Sequence, residues 1–221
     1  MRLVIGLLLL FPITCLGESV SIKDGNVFFT RGDGREVQLT SDGLDSDPSL
    51  SLDSKKVVFV RRTPGYLIDT GRGDVDENEL WIAAVDRRSK PRLVLRGRSG
   101  NFRDNLVLAG FYLPRFSADA RRVYFLATTW ATSDAIHSLD LSSGKTQFIA
   151  AGHSVEPINY GRFKKYAFVR TDTMGRQGGH IDDYWLYNPE GKAVKRIGGE
   201  LELKAFLRSI DAYGVGPMPK P

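Results

Sequence analysis

The feature that most constrains this chain is a repeat. Residues 46–60, 113–126 and 156–169 each run through a proline, a short strand, a polar turn with two basic residues, and an apolar strand. The prolines are Pro48, Pro114 and Pro157, and the basic pairs are Lys55-Lys56, Arg121-Arg122 and Lys164-Lys165. Proline can begin a strand but cannot sit in the middle of a sheet, because it has no N–H to give the ladder. The polar turn closes a hairpin. The apolar strands, such as Val57-Val58-Phe59-Val60 and Val123-Tyr124-Phe125-Leu126, do not alternate with polar residues. That predicts strands covered on both faces by neighbouring sheets.

A third and a fourth strand follow each hairpin. The third strands are predicted at residues 79–85, 135–141 and 183–187, and the fourth at 92–95, 146–149 and 194–197, with polar turns between them. Loops separate the second strand from the third, at residues 63–78, 128–134 and 170–182. A partial unit precedes these, with strands at residues 20–22, 26–30 and 36–40 around the tight turn Gly32-Asp33-Gly34. Four short antiparallel strands per unit is the pattern of a propeller blade. Composition agrees: 23 glycines and 12 phenylalanines among 221 residues favour many turns and short strands over long helices.

The segment Glu36-Val37-Gln38-Leu39-Thr40, followed by Pro48, Ser51, Asp53, Lys55 and Phe59, resembles the TolB-type, WD40-like (PD40) β-propeller repeat. Leu50, Leu52 and Ser54 depart from its usual aromatic, proline and glycine. Pro114, Phe116, Ser117, Asp119 and Phe125 carry the pattern in the second unit, where Ala118 and Ala120 replace proline and glycine, and Pro157 and Phe168 in the third. The expected fold is therefore all-β: a small β-propeller of about four blades, complete or incomplete, followed by a short C-terminal helix. Three full units and a partial one cannot supply the six blades usual in TolB-like proteins. Closure into a four-bladed ring would need C-terminal strands to complete the first unit; otherwise open strand edges invite self-association. Residues 200–210 read as an amphipathic helix with Leu203, Phe206, Leu207 and Ile210 on one face. The expected organisation is a signal peptide at 1–17, repeats at 18–200, and a helix with a flexible tail at 201–221.

One positive charge, an apolar run of about a dozen residues and then small residues open the chain, which is the layout of a secretory signal peptide. Cleavage after Gly17 is expected, giving a periplasmic or secreted protein. Lipidation of Cys15, with a membrane tether, is the alternative, although Thr14 stands where a lipobox usually has Gly, Ala or Ser. Cys15 is the sole cysteine, which excludes internal disulfides and cysteine-based metal centres. The net charge of +5 is spread over short groups and lacks any long basic run, so no nucleic-acid partner is expected.

No catalytic motif is present, and Gly-x-Ser-x-Gly is absent. Of the three histidines, His137 lies inside a predicted strand as a packed or surface residue, and His153 in a turn between blades. His180 lies with Asp182 in a glycine-rich loop. Residues 74–79 resemble the start of a calcium loop but lack its later glycine and glutamate, so neither a metal nor another cofactor is expected. Equivalent loops cluster on one face of a propeller, which would gather Tyr66, Arg72, Trp130, Arg176, His180 and Asp182 as a binding surface. The resemblance implies a binding or scaffold protein that engages an envelope protein. The alternatives are a toxin-neutralising inhibitor or immunity protein, and a propeller-type polysaccharide lyase or peptidase-associated domain.

Overall fold

The computed structural model describes residues 17–69, 74–98, 108–128, 134–174 and 179–211. It is built of small antiparallel sheets in chain order. Blade I is the three-stranded sheet β1 (Ser19–Lys23), β2 (Asn26–Thr30) and β3 (Glu36–Gln38). Blade II holds β4 (Asp45–Leu50), β5 (Lys56–Asp69), β6 (Asp74–Ala84) and β7 (Arg92–Arg96). Blade III holds β8 (Phe111–Phe116), β9 (Arg122–Ala127), β10 (Asp134–Asp140) and β11 (Thr146–Gly152). Blade IV holds β12 (Ser154–Pro157), β13 (Ala167–Met174), β14 (His180–Tyr187) and β15 (Ala193–Gly198). The helix α1 (Glu200–Asp211) follows.

The non-alternating runs are buried as their sequence requires. Val57 to Val60 in β5 and Val123 to Ala127 in β9 are all inaccessible to solvent or nearly so. Each supplies side chains to two interfaces, one with the blade before it and one with the blade after. Val27, Val57 and Phe59 join blade I to blade II. Val58, Val60, Leu80, Phe111 and Phe125 join II to III. Leu126, Ile136, Val155 and Val169 join III to IV. The last cluster joins blade IV to the helix, through Phe168, Leu186, Ile210, Leu203, Phe206 and Leu207. The amphipathic face expected from the helical spacing is the face that packs.

The first strands of the blades lie side by side at the axis, with β1 against β4, β4 against β8, and β8 against β12. Completion of blade I by C-terminal strands is not what the chain does. Among the described residues its sheet contains only β1, β2 and β3, and residues 200–211 instead form α1, which covers part of the free face of blade IV. Among the described residues the four apolar clusters therefore run in a line, I–II–III–IV–helix, and none joins IV back to I.

The expected loops between second and third strands are also different in kind. Instead of a loop at residues 63–78, β5 and β6 continue as a two-stranded ribbon, with Leu67 opposite Asp76 and Asp69 opposite Asp74. Residues 63–66 bulge opposite Glu77 alone, because Pro64 has no donor for the ladder and Gly65 takes a φ of +86°. The calcium-like acidic stretch is thereby part of β6. In the same way β13 and β14 pair through Asp172–Asp182 to Met174–His180, so the segment expected as a glycine-rich loop is largely strand.

Candidate functional site

In these antiparallel sheets the turn between first and second strands lies at one end, and the hairpin between second and third strands lies at the other. The hairpin end also carries the links from blade to blade. Hairpins β5–β6, β9–β10 and β13–β14 therefore all project from one face, the hairpin face. Tyr66, Leu67 and Ile181 are exposed there, at 64, 63 and 54 %. Ile68 of the β5–β6 ribbon is buried against the Gly97 backbone, and an Arg62–Asp76 ion pair spans the ribbon at 3.8 Å.

Of the residues predicted as a binding surface, Tyr66 and Asp182 are on this face, two blades apart. His180 pairs with Met174 at the base of the β13–β14 hairpin. Arg72, Trp130 and Arg176 lie outside the described residues, as does Cys15. Asp182 accepts a 3.4 Å hydrogen bond from Arg170 Nη1. The sequence reading missed the group beside it: His153 Nε2 is hydrogen-bonded to Asp172, and the backbone N–H of His153 donates to the Arg170 carbonyl at 2.8 Å. This approach depends on Gly152. A Cβ at that position would stand 2.6 Å from the Arg170 oxygen and 2.9 Å from Ile136 Cδ1. The His–Asp pair orients the imidazole.

Phe168, Arg170 and Asp172 share one side of β13, and Asp182, Tyr184 and Leu186 share the matching side of β14. That side is the free face of blade IV. The helix covers its lower half, at Phe168 and Leu186, and a cleft of about 250 Å³ is left above, between the strands and Leu203 and Leu207 of α1. Arg170, Tyr184, Ser154 and Glu156 form its polar wall. Crowding by the surrounding walls raises the Glu156 pKa, and the nearby Arg115 charge opposes that rise. Glu156 also borders a second cavity of about 320 Å³ at the axis, lined by Ser49, Arg115 and Phe116 on the face opposite the hairpins.

A repeated set supports blades II and IV at this level. In blade II, Trp81 donates its indole N–H to Glu79 at 2.7 Å, and Arg96 pairs with Glu79 at 2.9 Å. In blade IV, Trp185 donates to Asp183 at 2.9 Å, and Arg196 pairs with Asp183 at 2.9 Å. Both acids are nearly fully buried. A buried carboxylate is tolerated when each of its oxygens accepts a hydrogen bond or meets a cation, as here. The sequence shows this as acid-x-Trp on a third strand with arginine on the fourth. In blade III the same register holds Ala135 and His137. His137 is therefore packed, and its Nε2 has no hydrogen-bond partner among the described residues.

Blades of this kind stacked about an axis define a β-propeller architecture, and comparison with solved structures agrees. A protein described as a TolB from Agrobacterium tumefaciens is similar over 83 % of this chain and 58 % of its own, with 13 % identity and a TM-score of 0.55. The dipeptidyl peptidase 4 of Porphyromonas gingivalis is similar over 82 % of this chain and 31 % of its own, with 16 % identity and a TM-score of 0.52. The β-propeller domain of the Trilobed protease from Pyrococcus furiosus, described as having an open velcro topology, is similar over 79 % of this chain and 49 % of its own, with 12 % identity and a TM-score of 0.51. The sequence matches no family model and no curated protein. The chain is thus a TolB-like β-propeller in fold, spanning less than two thirds of the length of each of these structures.

Proposed function

We propose that the chain is exported, with residues 1–17 removed as a signal peptide, and acts in the periplasm as a binding scaffold for an envelope protein. The hairpin face is the proposed contact surface. The observation that carries the reading is that blades II and IV display their ribbons on one side, and that these ribbons hold large apolar side chains in solvent. Exposed Tyr66, Leu67 and Ile181 beside the charged groups Arg62, Arg170 and Asp182 have the composition of an interface core with a polar rim. Arg72, Trp130 and Arg176 belong to the same hairpins by sequence and are assigned to the same surface, together with His180. Cleavage after Gly17 gives a soluble product, whereas lipid attachment at Cys15 would tether the same surface to a membrane.

Site-specific photo-crosslinking tests this. A photoreactive residue at position 66 or 181 is expected to capture one envelope protein in cells, and the same residue at position 52, on the opposite face, is expected to capture none. The double variant Tyr66→Ala with Ile181→Ser is expected to weaken capture about tenfold or more. Crosslinking from position 52 alone would move the contact to the other face and refute the assignment. Mass spectrometry of the product isolated from the periplasmic fraction is expected to show an N-terminus at Glu18. A cytosolic precursor would refute export.

A further inference from the structure

The cleft between blade IV and α1 is separate from the exposed ribbon tips, and its chemistry is specific. Arg170 lines it. Asp182 takes Nη1 of that side chain at 3.4 Å, at the long end of hydrogen bonding. Its Nε is buried and has no hydrogen-bond partner among the described residues. Nε and Nη2 together form the side-on fork by which arginine holds a carboxylate with two parallel hydrogen bonds. A buried N–H left without an acceptor is costly, and a ligand oxygen is one way to meet it. The hydroxyls of Ser154 and Tyr184 line the same wall as further donors.

The rest of the lining is largely apolar, from Phe168 beside Arg170 on β13 and from Leu203 and Leu207 of the helix, so anything placed against the arginine fork would lay its other end on hydrocarbon. A cleft of about 250 Å³ accepts roughly a dozen non-hydrogen atoms. Among the described residues Glu156 is the acidic group that lines the cleft, and Asp182 stands behind Arg170. Glu156 opens also to the axial cavity, where Arg115 offsets its charge.

We infer that this cleft is a binding site for a monocarboxylate bearing a branched or aromatic apolar group, held by the Nε–Nη2 edge of Arg170 with its apolar end between Phe168 and the helix. The same chemistry is offered by a small free acid and by the C-terminal residue of a peptide. The cleft shares Arg170 and Asp182 with the rim of the hairpin face, but acid-over-amide selectivity is read on the cleft alone and crosslinking from positions 66 and 181 on the hairpin face alone, so failure of one is distinguishable from failure of the other.

Calorimetric titration of the purified protein with four probes tests it. N-acetyl-leucine and its amide differ only in the carboxylate, and a pentapeptide ending in leucine, as free acid and as amide, repeats the comparison on a chain terminus. At least one free acid is expected to bind at least tenfold more tightly than its amide. Tighter binding of the peptide acid assigns the site to chain termini, and binding of N-acetyl-leucine alone assigns it to small acids; either supports the inference. Arg170→Gln is expected to abolish the acid–amide difference with the thermal midpoint monitored in parallel. Arg170→Lys keeps the charge without the fork, and is expected to weaken binding of the acid about tenfold; it decides the matter if Arg170→Gln fails to fold. Equal affinity for acid and amide, no binding of any probe, or acid binding unchanged in Arg170→Lys would overturn the inference.

Discussion

Ser54 and Ala120 hold φ values of +53° and +52°, at the turns between first and second strands of blades II and III. These are the positions where the repeat usually has glycine, which takes left-handed backbone without penalty. The turns persist because two side chains brace each one. Ser51 Oγ donates to Asp53 Oδ1 at 2.7 Å and accepts from the Lys56 N–H at 3.0 Å. Ser117 does the same with Asp119 at 2.8 Å and the Arg122 N–H at 3.0 Å. Ser54→Gly and Ala120→Gly are each expected to stabilise the protein by about 1 kcal/mol, read as an increase in the denaturant midpoint. Loss of stability in both variants would show that the strain is not there. His137 gives a second prediction at this scale. It is 2 % exposed, stacked on Phe125 with ring centroids 5.6 Å apart and edge-on to Phe148 at 5.6 Å. Burial, reinforced by the Arg98 charge, lowers its pKa to about 4. In the unfolded chain it titrates near about 6.5. The unfolded state therefore takes the proton first, so the stability present above pH 6.5 falls as the pH drops from about 6.5 towards 4, by about 3 kcal/mol in all. His137→Phe is expected to flatten that part of the curve. Urea unfolding of both proteins at pH 7 and pH 4.5 checks it, and parallel losses in the two would refute the role of this ring.

At the scale of elements, α1 performs the task that a further blade performs elsewhere in the array. Ile210 is 2 % exposed and packs with Phe168 and Leu186, whereas Leu201 on the other side of the helix is 77 % exposed. Ile210→Ala is expected to cost about 2–4 kcal/mol, and Leu201→Ala to change stability by less than about 0.5 kcal/mol; chemical denaturation distinguishes them, and similar losses from both would mean the helix is not docked as described. This helix was readable from sequence because Leu203, Phe206, Leu207 and Ile210 recur at helical spacing. The strands of blades II, III and IV were readable because runs such as Val57 to Val60 and Val123 to Leu126 can be satisfied only between two sheets. The ribbons were not readable, because polar residues in 63–78 and 170–182 carry no apolar alternation, and their pairing is sustained by the backbone ladder and ion pairs instead. The cleft was also hidden. Arg170 lies 12 residues from Asp182 in sequence, and only the β13–β14 register and the placement of α1 bring it against Leu203 and Leu207. Acid-x-Trp at Glu79 and Asp183 was visible in the sequence, but its meaning needed the arginines of the fourth strands.

For the whole molecule, the consequence of a linear array is that, among the described residues, blade I and blade IV each have one side that no other blade covers. They are treated differently. Blade I turns Val20, Ile22 and Val27 to blade II, while Ser19, Ser21, Lys23, Thr30, Glu36 and Gln38 occupy the outer side, with Lys23 lying 5.4 Å over the Phe28 ring. The outer side of blade IV is polar towards the hairpin and apolar below, at Phe168, Leu186 and Ile197, and the helix covers that apolar half. Where each unit contacts only its neighbours, stability is a sum of unit and interface terms, and the ends open before the middle. Blade III has an extensive apolar cluster on each side. Blade I has one interface and three strands. Amide hydrogen exchange is therefore expected to be slowest in β9 and β10 and fastest in β1 to β3, with blade IV between them. Replacing Leu203, Phe206 and Leu207 together by serine should speed exchange in β13 and β14 by more than tenfold, since loss of about 1.4 kcal/mol of local stability already gives that factor, and leave β1 to β3 unchanged. The triple variant should also self-associate in size-exclusion chromatography with light scattering, because Phe168, Leu186 and Ile197 become an exposed apolar face. A ring closed between blades IV and I would behave otherwise: exchange in β1 to β3 would rise together with that in β13 and β14, since each end would then be holding the other.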